Sequence, residues 1–250
     1  MIIRTVPLLA LIALYATAAP AQQFEGVFMT KTLRLSSDVV TEQAGDDAAR
    51  ALDKLSTLAS DQLLRLGAEV DSQQTQVKGG RMRSAMGDMP GMGGGYVVID
   101  VGTGMMRLVN PAQRSYSEFS IRGTGQSRPG EGEDEEELKV EPLGRTQVIG
   151  TLRCTGYRVT EGEDVSIAWM TSDPAFKQLF EAYMQMAGDD DPSVGRARAL
   201  LARYGYPVMT QRLDEDGDYR VEVWSLERRP MADSLFAIPA GFTKQAVPGG

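Results

Sequence analysis

Residues 96–110 read YVVIDVGTGMMRLVN, and the rest of the chain is read outward from this stretch. Two runs rich in Val, Ile, Leu and Met meet across Gly102-Thr103-Gly104, the signature of a β-hairpin with a glycine-bearing turn. Toward the C-terminus, 115–121 follows Pro111 as another strand. Segments 148–150, 152–159 and 165–170 repeat the pattern, the last with Val165, Ile167 and Trp169 on one face. Further on, 208–213 and 219–226 flank Asp214-Glu215-Asp216-Gly217 as a second hairpin. Toward the N-terminus, 24–35 alternates so that Val27, Met29, Leu33 and Leu35 share a side. Strands recurring about every 8–12 residues predict an antiparallel sheet curled toward a barrel or half-barrel.

The period changes in two places. Across 46–67, Leu52, Leu55, Leu58, Leu63 and Leu66 recur at three- to five-residue steps among polar residues, which predicts one amphipathic helix ending at Gly67. Asp173-Pro174 reads as an N-cap followed by Pro in the first turn. It opens a run in which Phe176, Leu179, Phe180, Tyr183, Met184 and Met186 make a broad apolar face; a second short helix spans 192–204. Helices grouped in two places around a continuous strand series predict an α+β fold, not alternating parallel β-α units.

Composition removes whole classes of chemistry. The 250 residues include 26 basic and 34 acidic residues, a net charge of −8, one cysteine and no histidine. A Ser-His-Asp hydrolase, an imidazole general base and His-ligated metal or haem sites are excluded. A lone cysteine allows no internal disulfide; Cys154, in a strand, reads as a small apolar core residue. No Walker lysine accompanies Gly91, Gly93, Gly94 and Gly95, and a strand follows them where a phosphate loop requires a helix. The Asp214, Asp216, Asp218 cluster breaks the calcium-loop pattern at Arg212 and Val223, so it reads as a charged turn. Nothing marks a carboxylate pair for hydrolysis. We expect a protein that is not an enzyme and uses no cofactor.

Residues 1–21 read as a signal peptide: Arg4, then the apolar stretch 6–18, then Ala19-Pro20-Ala21 with cleavage after Ala21. An apolar run of about 13 residues is too short to span a bilayer, and no later one approaches 18, so no integral membrane protein is expected. Without Arg4 the remainder carries 25 basic and 34 acidic residues, −9, which offers no footprint for nucleic acid. Export to the periplasm is the expectation. Residues 22–250 then form a single domain with two unusual segments. Positions 123–141 are rich in Gly, Ser and Pro and then acidic, and read as a solvated disordered loop. Positions 82–95 are rich in Met and Gly, and Met86, Met89 and Met92 form a thioether array of the kind that suits Cu(I), alongside the simpler reading of a loop touching apolar surface.

Three segments carry a resemblance. Tyr96-Val97-Val98-Ile99-Asp100 followed by Asn110-Pro111 and Tyr116 is one. The others are Gly150-Thr151-Leu152-Arg153-Cys154-Thr155-Gly156-Tyr157 and the ending Asp233-Ser234-Leu235-Phe236-Ala237-Ile238-Pro239-Ala240-Gly241-Phe242. Together they resemble an uncharacterised family of bacterial exported proteins, a domain of unknown function related to the periplasmic lipoprotein carriers of the LolA/LolB-like fold. That resemblance spans about 96–242. It implies an unclosed barrel with helices as a lid, an interior suited to acyl chains, and no catalytic residues.

Residues and resemblance together give the expectation of a periplasmic protein binding an apolar ligand, a lipid or lipid-modified protein, in the half-barrel. Phe176, Phe180, Tyr183 and Met184 are its candidate lid or cavity residues, with Trp169 as a sheet-side wall. The alternatives are an envelope structural or interaction module with a packed core and an envelope protein as partner, or Cu(I) binding through Met86, Met89 and Met92.

Overall fold

The computed structural model describes residues 24–45, 47–86, 94–121, 138–187 and 192–246. Residues 1–21, read above as a signal peptide, Met89, Met92 and positions 123–137 of the acidic segment lie outside these. Among the described residues, twelve strands form one sheet: β1 Glu25–Leu35, β2 Glu69–Lys78, β3 Arg81–Ala85, β4 Tyr96–Asp100, β5 Met105–Asn110, β6 Ser115–Ser120, β7 Leu138–Ile149, β8 Leu152–Glu161, β9 Asp164–Thr171, β10 Tyr206–Leu213, β11 Tyr219–Arg228 and β12 Thr243–Lys244. Their order is β12-β6-β5-β4-β3-β2-β1-β11-β10-β9-β8-β7. Every pairing is antiparallel except β12 with β6. Strands β12 and β7 are the two edges, so the sheet is unclosed. A right-handed twist of roughly 20–25° per strand, compounded over so many strands, curls such a sheet.

The first strand in sequence lies in the middle of the sheet, where β1 joins the meander β2–β6 to the strands β11–β7. Glycine at position 26 is required there. A side-chain Cβ at that position would overlap the carbonyl oxygen of Glu227 and lie 3.0 Å from its carbonyl carbon and 3.1 Å from Arg228 Cα. One face is traced by paired residues: Leu33 opposite Val221, Val221 opposite Gln211, Gln211 opposite Ile167, and Met209 opposite Trp169. Three short helices supply its cover: α1 Ser37–Ala44, α2 Ala48–Leu55 and α3 Ser60–Arg65, with Leu52, Leu55 and Leu63 buried in the same cluster. A second cluster joins Val27, Tyr96, Val98 and Val109 to Met231 and Phe236 of the C-terminal segment. That segment is tied down by Arg81 to Asp233 at 2.6 Å and by Lys244 to Glu118 at 2.6 Å.

Three expectations are corrected and one helix is added. The single helix over 46–67 is two helices, because the Ser56 and Thr57 hydroxyls donate back to the carbonyls of Asp53 (3.1 Å) and Lys54 (2.7 Å) and end α2. α1 adds a helix that no local signal announces, because its N-terminus is capped from a distance: Asp218 accepts the Ser37 N–H at 2.8 Å and an ion pair from Arg34. Met82 is not in a loop but in β3, buried in the core. Finally, positions 138–141 of the acidic segment begin β7, paired with β8 from Leu138 opposite Glu161. A sheet edge accommodates the Pro142 and Gly144 that hid this strand.

The remote cap yields a prediction. Burial alone would raise the Asp218 pKa, but the Ser37 N–H and the Arg34 guanidinium outweigh it and hold it below the ordinary value of 3.8. Asp218→Asn should cost about 2 kcal/mol at neutral pH. A carboxylate with a depressed folded pKa stabilises above its unfolded pKa and loses that contribution as pH falls through the folded value. The stability gap between parent and variant should therefore close as pH drops below 3.8, and urea titrations showing a constant gap would refute the cap.

Candidate functional site

The site grows from a divergence in the sheet. The β10–β11 ladder runs only from Leu213 opposite Tyr219 to Met209 opposite Val223. Beyond it β11 continues to Arg228, paired on its other side with β1. A bulge between Pro207 and Met209 turns the start of β10 away. Among the described residues, 224–228 of β11 thus have no strand on that flank, and a helix lies beside it. This helix, α4 Pro174–Ala187, starts where the sequence indicates: Asp173 Oδ1 accepts the Ala175 N–H at 2.8 Å, and the Asp173 N–H donates to Thr171 Oγ1 at 3.3 Å. The cap fixes which residues of the first turns face inward, and Phe176 and Leu179 are buried.

Phe180 stands one turn on. Its ring meets Trp224 edge-on at 6.5 Å and Tyr206 at 5.8 Å. To one side, a cavity of about 500 Å³ lies between α4, the open flank of β11 and the β7–β8 turn. Ile149, Leu152, Phe176, Val223, Trp224 and Leu226 supply its apolar lining. Asp173, occupied as the helix cap, and Arg228, whose guanidinium lies 5.4 Å over the Phe24 ring, add polar edges. To the other side, a cleft of about 700 Å³ opens between α4 and α5 Pro192–Tyr204, with Met184, Lys177, Glu181, Arg198, Leu201 and Arg203 among its walls. Burial, and secondarily the Glu181 carboxylate, pushes the Tyr206 phenol pKa up at its base.

The candidate residues are thus placed unequally. Phe176 lines the cavity, Met184 lines the cleft and Phe180 stands between them. Tyr183 is in α4, and its side chain lies outside the described residues. Trp169 lines neither of these two spaces. It is 3% exposed in the packed core, its indole N–H donating 3.1 Å to Gln211 Oε1. Gly156 makes room for it, since a Cβ there would be 3.0 Å from both the ring and Leu143. Met86 continues the β3–β4 ladder by donating its N–H to the Gly95 carbonyl at 3.0 Å. Met89 and Met92 are outside the described residues, so no thioether set is assembled among those that are described.

Sequence reasoning missed Trp224, Leu226, Ile149 and Leu152. Their only signal is period-two alternation, which marks a face without saying what covers it. It also missed Gln211, fully satisfied within the core. Its amide donates to Tyr219 Oη at 2.9 Å and to the Ser56 carbonyl at 3.2 Å. Burial pushes the Tyr219 phenol pKa well up, with the Gln211 bond opposing it only in part. Burial likewise pushes the Cys154 thiol up to about 11, which leaves it inert at neutral pH, as a core residue should be.

A family model described as a domain of unknown function, DUF4412, matches residues 70–242, well over half of the chain. The chain belongs to that family. The match extends the resemblance read from 96–242 back to β2, and it leaves out β1 and α1–α3 although β1 is central to the sheet. No curated protein matches. Among solved structures, an uncharacterised conserved protein from Thermus thermophilus overlaps 89% of this chain and 91% of its own, at 6% identity and a TM-score of 0.39. PNGF-II overlaps 89% of this chain but only 31% of its own, at 8% identity and 0.35. A LolA superfamily protein from Nitrosomonas europaea overlaps 86% and 90%, at 12% identity and 0.30. With TM-scores below 0.5, these likenesses carry no argument. Among the described residues, no helix is long and apolar enough to cross a membrane.

Proposed function

We propose that this protein is a non-enzymatic, periplasmic binder of an apolar ligand, a lipid or lipid-modified protein, held where β10 leaves β11. One observation carries the reading: the apolar cavity of about 500 Å³ walled by Phe176, Trp224 and Leu226. This volume is in the range of ligand sites, roughly 300–1,000 Å³. It favours a binder over a module with a wholly packed core. Burying roughly 300 Å² of acyl surface at about 25 cal/mol per Å² contributes on the order of 7 kcal/mol before the ordering cost.

The test is native mass spectrometry of the protein purified from its own periplasm, followed by organic extraction. A stoichiometric lipid is expected with the parent chain and its loss with Leu226→Asp, which sets a carboxylate among the cavity's apolar walls. A variant that keeps its folded circular-dichroism spectrum and its full lipid load would overturn the proposal. A clean apo mass from the parent would favour the packed envelope module.

A further inference from the structure

We infer that the ligand joins the sheet as an added strand along β11, so the part of it that this cavity recognises is an extended polypeptide. This rests on the apolar-ligand reading and, of its two ligands, selects the lipid-modified protein over the free lipid. The backbone of β11 carries the inference. In an antiparallel ladder successive residues turn their N–H and C=O groups alternately to one flank and to the other. Next to β1, the Arg229 N–H donates to the Glu25 carbonyl at 3.3 Å, and the Glu227 carbonyl is the group that a Cβ at Gly26 would strike. Odd-numbered residues therefore face β1. At the opposite end the Asp218 carbonyl accepts the Asp214 N–H at 2.9 Å, so even-numbered residues face β10. The β1–β11 register holds without a shift from Tyr219 to Arg228. Trp224, Leu226 and Arg228 thus turn their N–H and C=O groups to the flank that β10 has left. Among the described residues, no backbone or side-chain group bonds to the main chain of these three there.

This edge lies along the cavity. Val223, Trp224, Ser225, Leu226 and Arg228 line its volume of about 500 Å³, with Ala175 and Phe176 of α4 among the other walls. Main-chain groups beside such apolar walls need hydrogen-bond partners that an acyl chain lacks. An extended peptide supplies donor and acceptor in the matching alternation, at the usual strand spacing of about 4.8 Å. The polar groups of the cavity agree with this. Thr151, Asp173, Ser225 and Arg228 stand among the apolar walls, a mixed lining that suits a peptide better than bare hydrocarbon. The run 224–228 extends about 15 Å, which accommodates roughly four or five residues of added strand. Side chains of that strand alternate between two sides, and the set turned toward Phe176, Ile149 and Leu152 is apolar. The segment recognised therefore carries an apolar residue at every second position.

The test titrates the protein with acetyl-Val-Thr-Leu-Thr-Val-amide, with two N-methylated forms of that peptide, and with oleate below its aggregation threshold. One form is methylated on the amides of its apolar residues and the other on those of its threonines, so each removes the donors of one flank. Tryptophan fluorescence reports binding, because one of the chain's two tryptophans, Trp224, lines the cavity. Amide hydrogen exchange reports the strand. In the free protein the Ser225 and Glu227 amides, turned to β1, should exchange slowly, and those of Trp224, Leu226 and Arg228 fast. The unmethylated peptide should slow those three at least about 10-fold. One methylated form should bind at least about 10-fold more weakly, having lost its backbone bonds to β11, and the other as the unmethylated peptide does. Equal binding by all three peptides, or binding that leaves those amides fast, would overturn the added strand. Binding of oleate with no binding of any peptide would overturn it too and leave the apolar-ligand reading standing. Failure of oleate and peptides alike would overturn both.

Discussion

Replacing Gly26 with alanine should destabilise the protein by about 3–5 kcal/mol, a very large cost for adding one methyl group. The reason is positional. Gly26 lies in the central strand, paired with Arg228 on one side and Val77 on the other. The added carbon would overlap the Glu227 carbonyl oxygen and press on the neighbouring backbone, and backbone held in a ladder on both flanks cannot turn aside as a flexible side chain would. Equilibrium urea denaturation should show a lower midpoint. Gly195→Ala serves as a contrast: nothing lies within 4 Å of a Cβ there, the residue is in α5, and the change should be neutral or stabilise by up to about 1 kcal/mol. Equal midpoints for the two variants would refute the close approach of β1 and β11.

Removing the Gln211 side-chain amide should be nearly as costly. Gln211→Leu leaves the Trp169 indole N–H and the Tyr219 hydroxyl buried without their partner and frees the Ser56 carbonyl. Each buried polar group left unpaired costs roughly 1–3 kcal/mol, so a loss of about 3 kcal/mol is expected. Part of this should return when Tyr219→Phe is added, because one orphaned hydroxyl then disappears. A double-mutant cycle in urea should give a coupling of about 1 kcal/mol or more between the two sites. Strict additivity would mean that the network does not act as a unit. The same bonds hold α2 to β10 through Ser56, so hydrogen exchange in α2 should accelerate in the single variant.

Half of the candidate site was legible in the sequence. Phe176, Phe180 and Met184 declare themselves because a capped helix converts i, i+4 spacing into one stripe, and Asp173-Pro174 announces the cap. The cavity's other wall was hidden. The chain's two tryptophans both occupy alternating apolar strands, at 165–170 and 219–226. Period-two alternation identifies the side of the sheet but not its cover. Trp169 faces Gly156 and Gln211 and is packed shut, while Trp224 lies on the flank that β10 abandons and meets a helix and a cavity. A reading by residue type selected Trp169, whereas the tryptophan that lines the cavity described above is Trp224. β2 escaped for a related reason: in EVDSQQTQVK only Thr75 and Val77 are buried, so its pairing with β1 rests on backbone bonds that leave no hydrophobic pattern.

By itself the sequence determined what is decided within about ten residues. The hairpin of β4 and β5 across Gly102-Thr103-Gly104 follows from turn chemistry, and the bounds of α4 and α5 follow from Asp173, Pro174 and Pro192 acting on the adjoining backbone. The α+β class follows from the order of those local units. Tertiary structure alone decided the rest: β1 lies beside β11, Asp218 caps α1 from 181 positions away, and β10 parts from β11 to make room for α4. These features rest on contacts between residues far apart in the chain, whose free energy depends on which surfaces come together. A local pattern records that a surface must be buried, and only the assembled sheet determines what buries it.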